Sequence, residues 1–254
     1  MFANSFTEVN MVKLTQALVR HHRQLLVMGS LLLSTVLCLV MLVTRVWYAR
    51  ELHHVNLAWN LFLAWLPMLI AWAAYNLYKR DLWFSWLVIS AFAGLWLLFF
   101  PNAPYMVTDI IHLWSRGDGV PLWYDLILIV AFAWTSFFLG LVSLFLMQTL
   151  VRRAAGPLTS WLFALGVLML SGFGVYLGRF DRWNSWDLFI APRSLLAEIW
   201  RYVRHPLDHP QAVVFSVLFA GFCLCAYLML VALTHLPREA HSQLIDDTAP
   251  HARR

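Results

Sequence analysis

Residues 25–47 read LLVMGSLLLSTVLCLVMLVTRVW, an apolar run as long as a bilayer is thick. A hydrocarbon core of about 30 Å needs roughly 20 residues of α-helix, and the run lacks the period-2 alternation of a barrel strand. A cleaved signal peptide has a shorter apolar core, about 7–15 residues, and a small-residue cleavage site, so the run is expected to stay as a first membrane span. Working outward, further runs occupy residues 57–78, 82–100, 122–150, 158–178 and 213–235. Because lipid offers no partner for open backbone groups, each run predicts a helix. The expected fold is therefore all-α, a polytopic transmembrane helical bundle of about six spans.

Composition agrees. Of 254 residues, 61% are hydrophobic and 12% charged, against about 45–50% and about 25% in soluble domains. That polar surface is too small to solvate a globule, and a disordered chain needs the opposite composition. No separate soluble catalytic domain fits in the tails and short loops, so the bilayer is the first partner and any chemistry sits at it. The net charge of +5 comes from Lys and Arg at the ends of apolar runs, a membrane-orientation pattern rather than a nucleic-acid one. Cys38, Cys223 and Cys225 all lie inside runs, where a thiol behaves as a small hydrophobe.

Three regions are expected: an N-terminal cytoplasmic tail with an interfacial helix at 1–24, the membrane domain at 25–235, and a polar C-terminal tail at 236–254. With the N-terminus inside, inner segments carry 10 Lys and Arg and outer ones 8. Arg193, Arg201 and Arg204 belong to a longer connection, where the positive-inside rule counts less. Both termini are thus expected on the cytoplasmic side. Whichever way the chain points, the 3–4 and 5–6 connections share one face.

Those two connections hold the unusual sequence. Phe100-Pro101-Asn102-Ala103-Pro104 stops the third span, since each proline disfavours the α conformation in the residue before it, and Pro104 can open a new helix. Residues 105–114 then read as a short interfacial or re-entrant helix. Gly178-Arg179-Phe180-Asp181-Arg182-Trp183-Asn184-Ser185-Trp186-Asp187 is dense in charge and Trp, and another interfacial helix is expected at 192–204, before the sixth span.

The stretch from Trp96 to Asp109, His112-Leu113, Trp123-Tyr124-Asp125-Leu126, Ala133-Trp134-Thr135 and residues 178–187 together resemble the bacterial membrane family called domain of unknown function 1361. The resemblance covers roughly residues 57–219. It implies a multi-pass bacterial inner-membrane protein and carries over no activity.

Candidate residues cluster on the shared face. Asp109 and His112, three apart, lie on one side of a helix with Tyr105 one turn before Asp109, and Asp125 sits one turn into the fourth span. Asp and His suit a divalent metal, and a carboxylate beside an imidazole also suits a general base, so Asp109, His112 and Asp125 are the candidate metal ligands or catalytic groups. The competing reading is structural, with these side chains capping helices and bonding to loops. Arg179 and Arg182 present planar forks suited to a phosphate or carboxylate at head-group depth, although Asp181 and Asp187 stand near enough to neutralise them. Asn102, Tyr105, Asn184, Asp181 and Asp187 complete the candidate ligand-binding set. Asn56 and Asn60 line the same cavity or hold helices together.

Other patterns carry less. Asn102-Ala103-Pro104 is not a paired half-helix pore signature, and Gly174-x-x-x-Gly178 and Pro67 read as packing. His205 to Pro210, His21-His22 and His53-His54 are discounted as ligand sites. No HExxH, Gly-x-Ser-x-Gly, Walker-type or dinucleotide signature occurs, which leaves a divalent metal as the one cofactor to weigh. Three functions stay open: a binding protein with an outer-face polar site for a small or lipidic ligand, an enzyme acting on a lipid-linked or anionic substrate, and a scaffold subunit of a membrane complex.

Overall fold

The structure is a computed structural model that describes the backbone of residues 2–52, 54–78, 85–114 and 119–248, and the side chains of 24–52, 54–78, 88–111 and 119–234. Its helices run α1 (Phe2–Ala49), α2 (Val55–Tyr78), α3 (Ser85–Phe99) and α4 (Asn102–Tyr105). A 3-10 helix follows (Met106–Trp114), then α5 (Leu122–Phe180), α6 (Asp187–Ile190), α7 (Pro192–Arg204), a 3-10 turn (Pro206–Asp208) and α8 (Pro210–Thr248). There is no strand among the described residues. The expected tail helix at 1–24 lies almost wholly outside the residues whose side chains are described, as does the tail at 236–254.

Among the described residues five helices are long and apolar enough to cross a membrane, one fewer than the six runs in the sequence. The difference is a merger. The 59 residues of α5 would measure about 90 Å if straight, roughly twice a bilayer's full thickness. They are interrupted at Gly156, whose φ of 88° and ψ of 174° are open only to glycine, followed by Pro157. The two arms, 122–155 and 157–180, are the fourth and fifth expected spans joined almost without a loop.

The bundle is built around α5. Its first arm packs on α2, with Phe132 and Leu139 against Leu61 and Met68, and its second arm packs on α8. The wholly buried Trp96 joins Phe100, Leu144 and Tyr227 in one core, and its indole N–H donates to Ser143 Oγ at 3.2 Å. Van der Waals fit drives association in lipid, so the closest approaches occur where side chains vanish. A Cβ on Gly172 would stand 2.5 Å from the Ser216 carbonyl oxygen of α8, and one on Gly174 would stand 3.0 Å from the Pro101 ring. Serine and threonine hydroxyls add interhelical bonds: Ser136 Oγ donates to the Ala103 carbonyl at 2.6 Å, and Ser34 and Thr135 share a bond of 2.5 Å.

The 5–6 connection lies over one end of the bundle. α7 buries Tyr202 against the second arm and α8 and also buries Leu195, while Leu196, Trp200 and Val203 stay exposed beside Arg193, Arg201 and Arg204. An apolar strip flanked by arginines is the pattern of a helix lying in the interface plane.

Candidate functional site

Two prolines shape the site. α3 stops at Phe99, Pro101 and Asn102 turn the chain, and α4 passes into the nine-residue 3-10 helix rather than a regular α-helix. Runs of this length are uncommon, because side chains three apart eclipse. Here the eclipse is used. Tyr105 and Thr108 fall on one side, where Thr108 Oγ1 donates to the Tyr105 carbonyl at 2.6 Å. Arg179, in the last turn of α5, lies over the Tyr105 ring at 4.6 Å. Its Nε and Nη2 donate to Thr108 Oγ1 at 2.9 and 2.7 Å, and Nη2 pairs with Asp109 Oδ1. Asn60 Nδ2 donates to the other Asp109 oxygen at 3.3 Å. Asp109 is 5% exposed, so its charge depends on these partners.

A second buried pair stands apart from the first. Asp125, in the first turn of α5 where a carboxylate complements the helix dipole, accepts from Arg45 Nε at 2.7 Å and Nη2 at 3.1 Å. His54 Nε2 lies 3.6 Å from Asp125 Oδ2. Tyr124 OH donates to the Met41 carbonyl at 2.8 Å, tying the same end of α5 to α1.

Beside the Asp109–Arg179 pair opens a cavity of about 400 Å³. Its rim is made by Trp59, Asn60, Asn102, Tyr105 and residues 183–186. It runs along the second arm of α5 past Leu177 and Phe173 to Leu170, which is exposed on the bundle surface, with Leu63 and Leu97 opposite and Leu195 and Ile199 of α7 on another side. Asn102 Nδ2 donates to Ser185 Oγ at 3.0 Å and to the Phe99 carbonyl at 3.1 Å, and Ser185 Oγ donates to the Leu98 carbonyl at 3.0 Å. The two connections predicted to share a face are thereby bonded to each other. Among the described residues no charged side chain lines the cavity.

Residues 59–226 match the family described as Protein of unknown function (DUF1361). The chain belongs to that family. The matched segment contains every lining residue of the cavity and the Asp109–Arg179 pair, and leaves Arg45 and His54 outside. No curated protein matches the chain. No solved structure matches it either.

Set against this geometry, the predicted residues of this family member separate into groups. Asn102, Tyr105 and Asn184 line the cavity as a set. Arg179 and Asp109 lie just behind the rim, joined to each other. Asp125 pairs with Arg45, so the structure does not bring Asp109 and Asp125 together. The His112 side chain lies outside the described residues, among which no group of three or more His, Cys, Asp or Glu side chains could hold a metal ion. The expectation that Asp181 and Asp187 neutralise the arginines is corrected. Asp181 accepts from Tyr202 OH at 3.0 Å, and Asp187 accepts the Asn184 backbone N–H at 2.7 Å. Burial and that bond to Asp181 hold the Tyr202 phenol above its ordinary range. Arg182 is not the helical neighbour of Arg179 either: α5 ends at Phe180, and Arg182 takes a left-handed φ of 63° and points to the exterior.

Sequence reasoning missed Arg45, Thr108 and the Trp59 wall. Arg45 had a usable signal, an ionisable residue inside an otherwise apolar span. Thr108 and Trp59 had none, since neither residue type is unusual at the end of a membrane helix.

Proposed function

We propose that the protein binds a small or lipidic ligand in this cavity, on the outer face of a bacterial inner membrane with both termini cytoplasmic. One observation carries the reading. A cavity of about 400 Å³, within the range of small-molecule sites, grades from an amide and indole rim to a leucine-lined far end. That gradient matches an amphiphile standing upright in a leaflet, its polar end at the interface and its apolar end in hydrocarbon. Asp109, the strongest acid–base candidate, is engaged by Arg179 and Asn60, which favours binding over proton transfer.

Native mass spectrometry of the detergent-purified protein tests this. Wild type is expected to retain a bound lipid-sized ligand that Leu97→Trp, which fills the cavity, releases. Leu162→Trp, on an exposed lipid-facing position, is expected to retain it. Equal retention by both variants would overturn the reading. A stoichiometric metal ion lost in both Asp109→Ala and His112→Ala would replace it with a metal site.

A further inference from the structure

Resting on that reading, we infer that the cavity recognises a neutral sugar, the glycosyl head of an amphiphile, rather than a phosphate or a zwitterionic head group. The rim is built from indoles and amides and carries no charge. Trp59 and Trp186 stand edge to face at 6.3 Å, with Trp183 beside them on the same rim. An aromatic face is electron-rich, and the C–H groups on one side of a sugar ring are the complementary weakly positive, apolar surface. The hydroxyls at the ring's edge need donors and acceptors in the ring plane, which amides supply in both senses.

The rim keeps that capacity unspent. Among the described residues no hydrogen bond uses the side-chain carbonyl oxygen of Asn60 or Asn102, the side-chain amide of Asn184, or the indole N–H of Trp59, Trp183 or Trp186.

Charge argues in the same direction. A phosphate site presents an arginine or lysine to its ligand. Arg179, whose guanidinium lies over the ring of the lining residue Tyr105, is turned to Asp109 and Thr108, and Arg182 is exposed outside the lining. The tail requirement follows from length. From Gly178 to Leu170 the lining runs about 12 Å along the helix, past Phe173 to the exposed Leu170, beyond the reach of a monosaccharide standing at the rim.

The test uses the full-length protein in phosphatidylcholine nanodiscs, prepared without glycosidic detergent. Octyl glucoside, octyl galactoside and octyl N-acetylglucosaminide are compared with octylphosphocholine and octyl phosphate below their micellar concentrations. Binding is read by tryptophan quenching and by saturation transfer to sugar C–H protons, with empty nanodiscs subtracted. At least one glycoside is expected to bind about tenfold or more tightly than both phosphate-bearing amphiphiles. Its free sugar is expected to compete only at far higher concentration. Trp186→Ala and the surface-accessible Asn184→Ala are each expected to weaken the glycoside about tenfold while leaving octyl phosphate unchanged. Equal affinity for all five amphiphiles would overturn the sugar assignment and leave an amphiphile site. Competition by free sugar at equal concentration would overturn the lipid-linked form. Binding of none would overturn both this inference and the reading beneath it.

Discussion

At the residue scale, the most consequential contact joins positions seventy apart. Arg179 and Asp109 were each legible as polar residues in apolar surroundings, but their pairing was not, because the nearest carboxylates in sequence are Asp181 and Asp187. Local geometry removes those two. The Trp183 N–H closes on the Leu177 carbonyl at 3.2 Å around the left-handed Arg182, a turn that ends a helix and carries the following carboxylates away from its axis. Side-chain exposures of 13% and 7% for Arg179 and Asp109 make the pair buried, and removing one partner strands the other. Arg179→Met alone is expected to cost about 3–5 kcal/mol, and Asp109→Leu alone a similar amount. The double variant is expected to lose far less than the sum. Unfolding titrations in mixed micelles would check this, and strictly additive losses would show that the two residues act independently.

At the element scale, helix existence was legible nearly throughout because a span of apolar residues has no other way to satisfy its backbone. The interfacial helix expected at 192–204 coincides with α7, and the proline break after α3 falls where Pro101 and Pro104 demand it. Two details were not legible. Gly156 joins two spans directly where the sequence suggested a short loop, since hydropathy does not distinguish a glycine turn from a helix that continues. Residues 106–114 take the 3-10 form where Arg179 and Asn60 reach Thr108 and Asp109 from other helices, contacts that local propensity does not encode. Packing between elements gives a sharp expectation. Gly172→Ala places a Cβ 2.5 Å from a backbone oxygen of α8, and is expected to destabilise by about 1–3 kcal/mol. Gly166→Ala, with nothing within 4 Å of its new methyl, is expected to be neutral or to stabilise by up to about 1 kcal/mol. Thermal unfolding of the two variants side by side decides it, and equal losses would contradict the close α5–α8 approach.

At the scale of the whole molecule, parity places Gly119 and Asn184 at one end of the bundle and Ala154 at the other. On the proposed orientation, cysteines introduced at 119 and 184 in a cysteine-free background are expected to react with a membrane-impermeant maleimide from outside the cell membrane. A cysteine at 154 is expected to react only after permeabilisation. The reverse pattern would turn the cavity toward the cytoplasm and change the pool of ligands it meets. The three native cysteines must be replaced first, although two of them, Cys38 and Cys223, are buried.

Composition and run length alone determined that this chain is a helical membrane protein and which connections share a face, because the bilayer imposes one rule on every backbone group that enters it. Even the candidate face was readable, since the Pro101 and Pro104 break and the charge- and Trp-dense residues 178–187 fall where apolar runs end. Only the tertiary structure decided which of those residues meet. It separated Asp109 from Asp125, turned Arg179 inward, and left an uncharged rim of Trp59, Asn60, Asn102 and residues 183–186. The reason is physical: side-chain pairing in a bundle depends on helix rotation and on close approach at glycines such as Gly172 and Gly174, and a hydropathy pattern with no polar face to orient each helix contains neither.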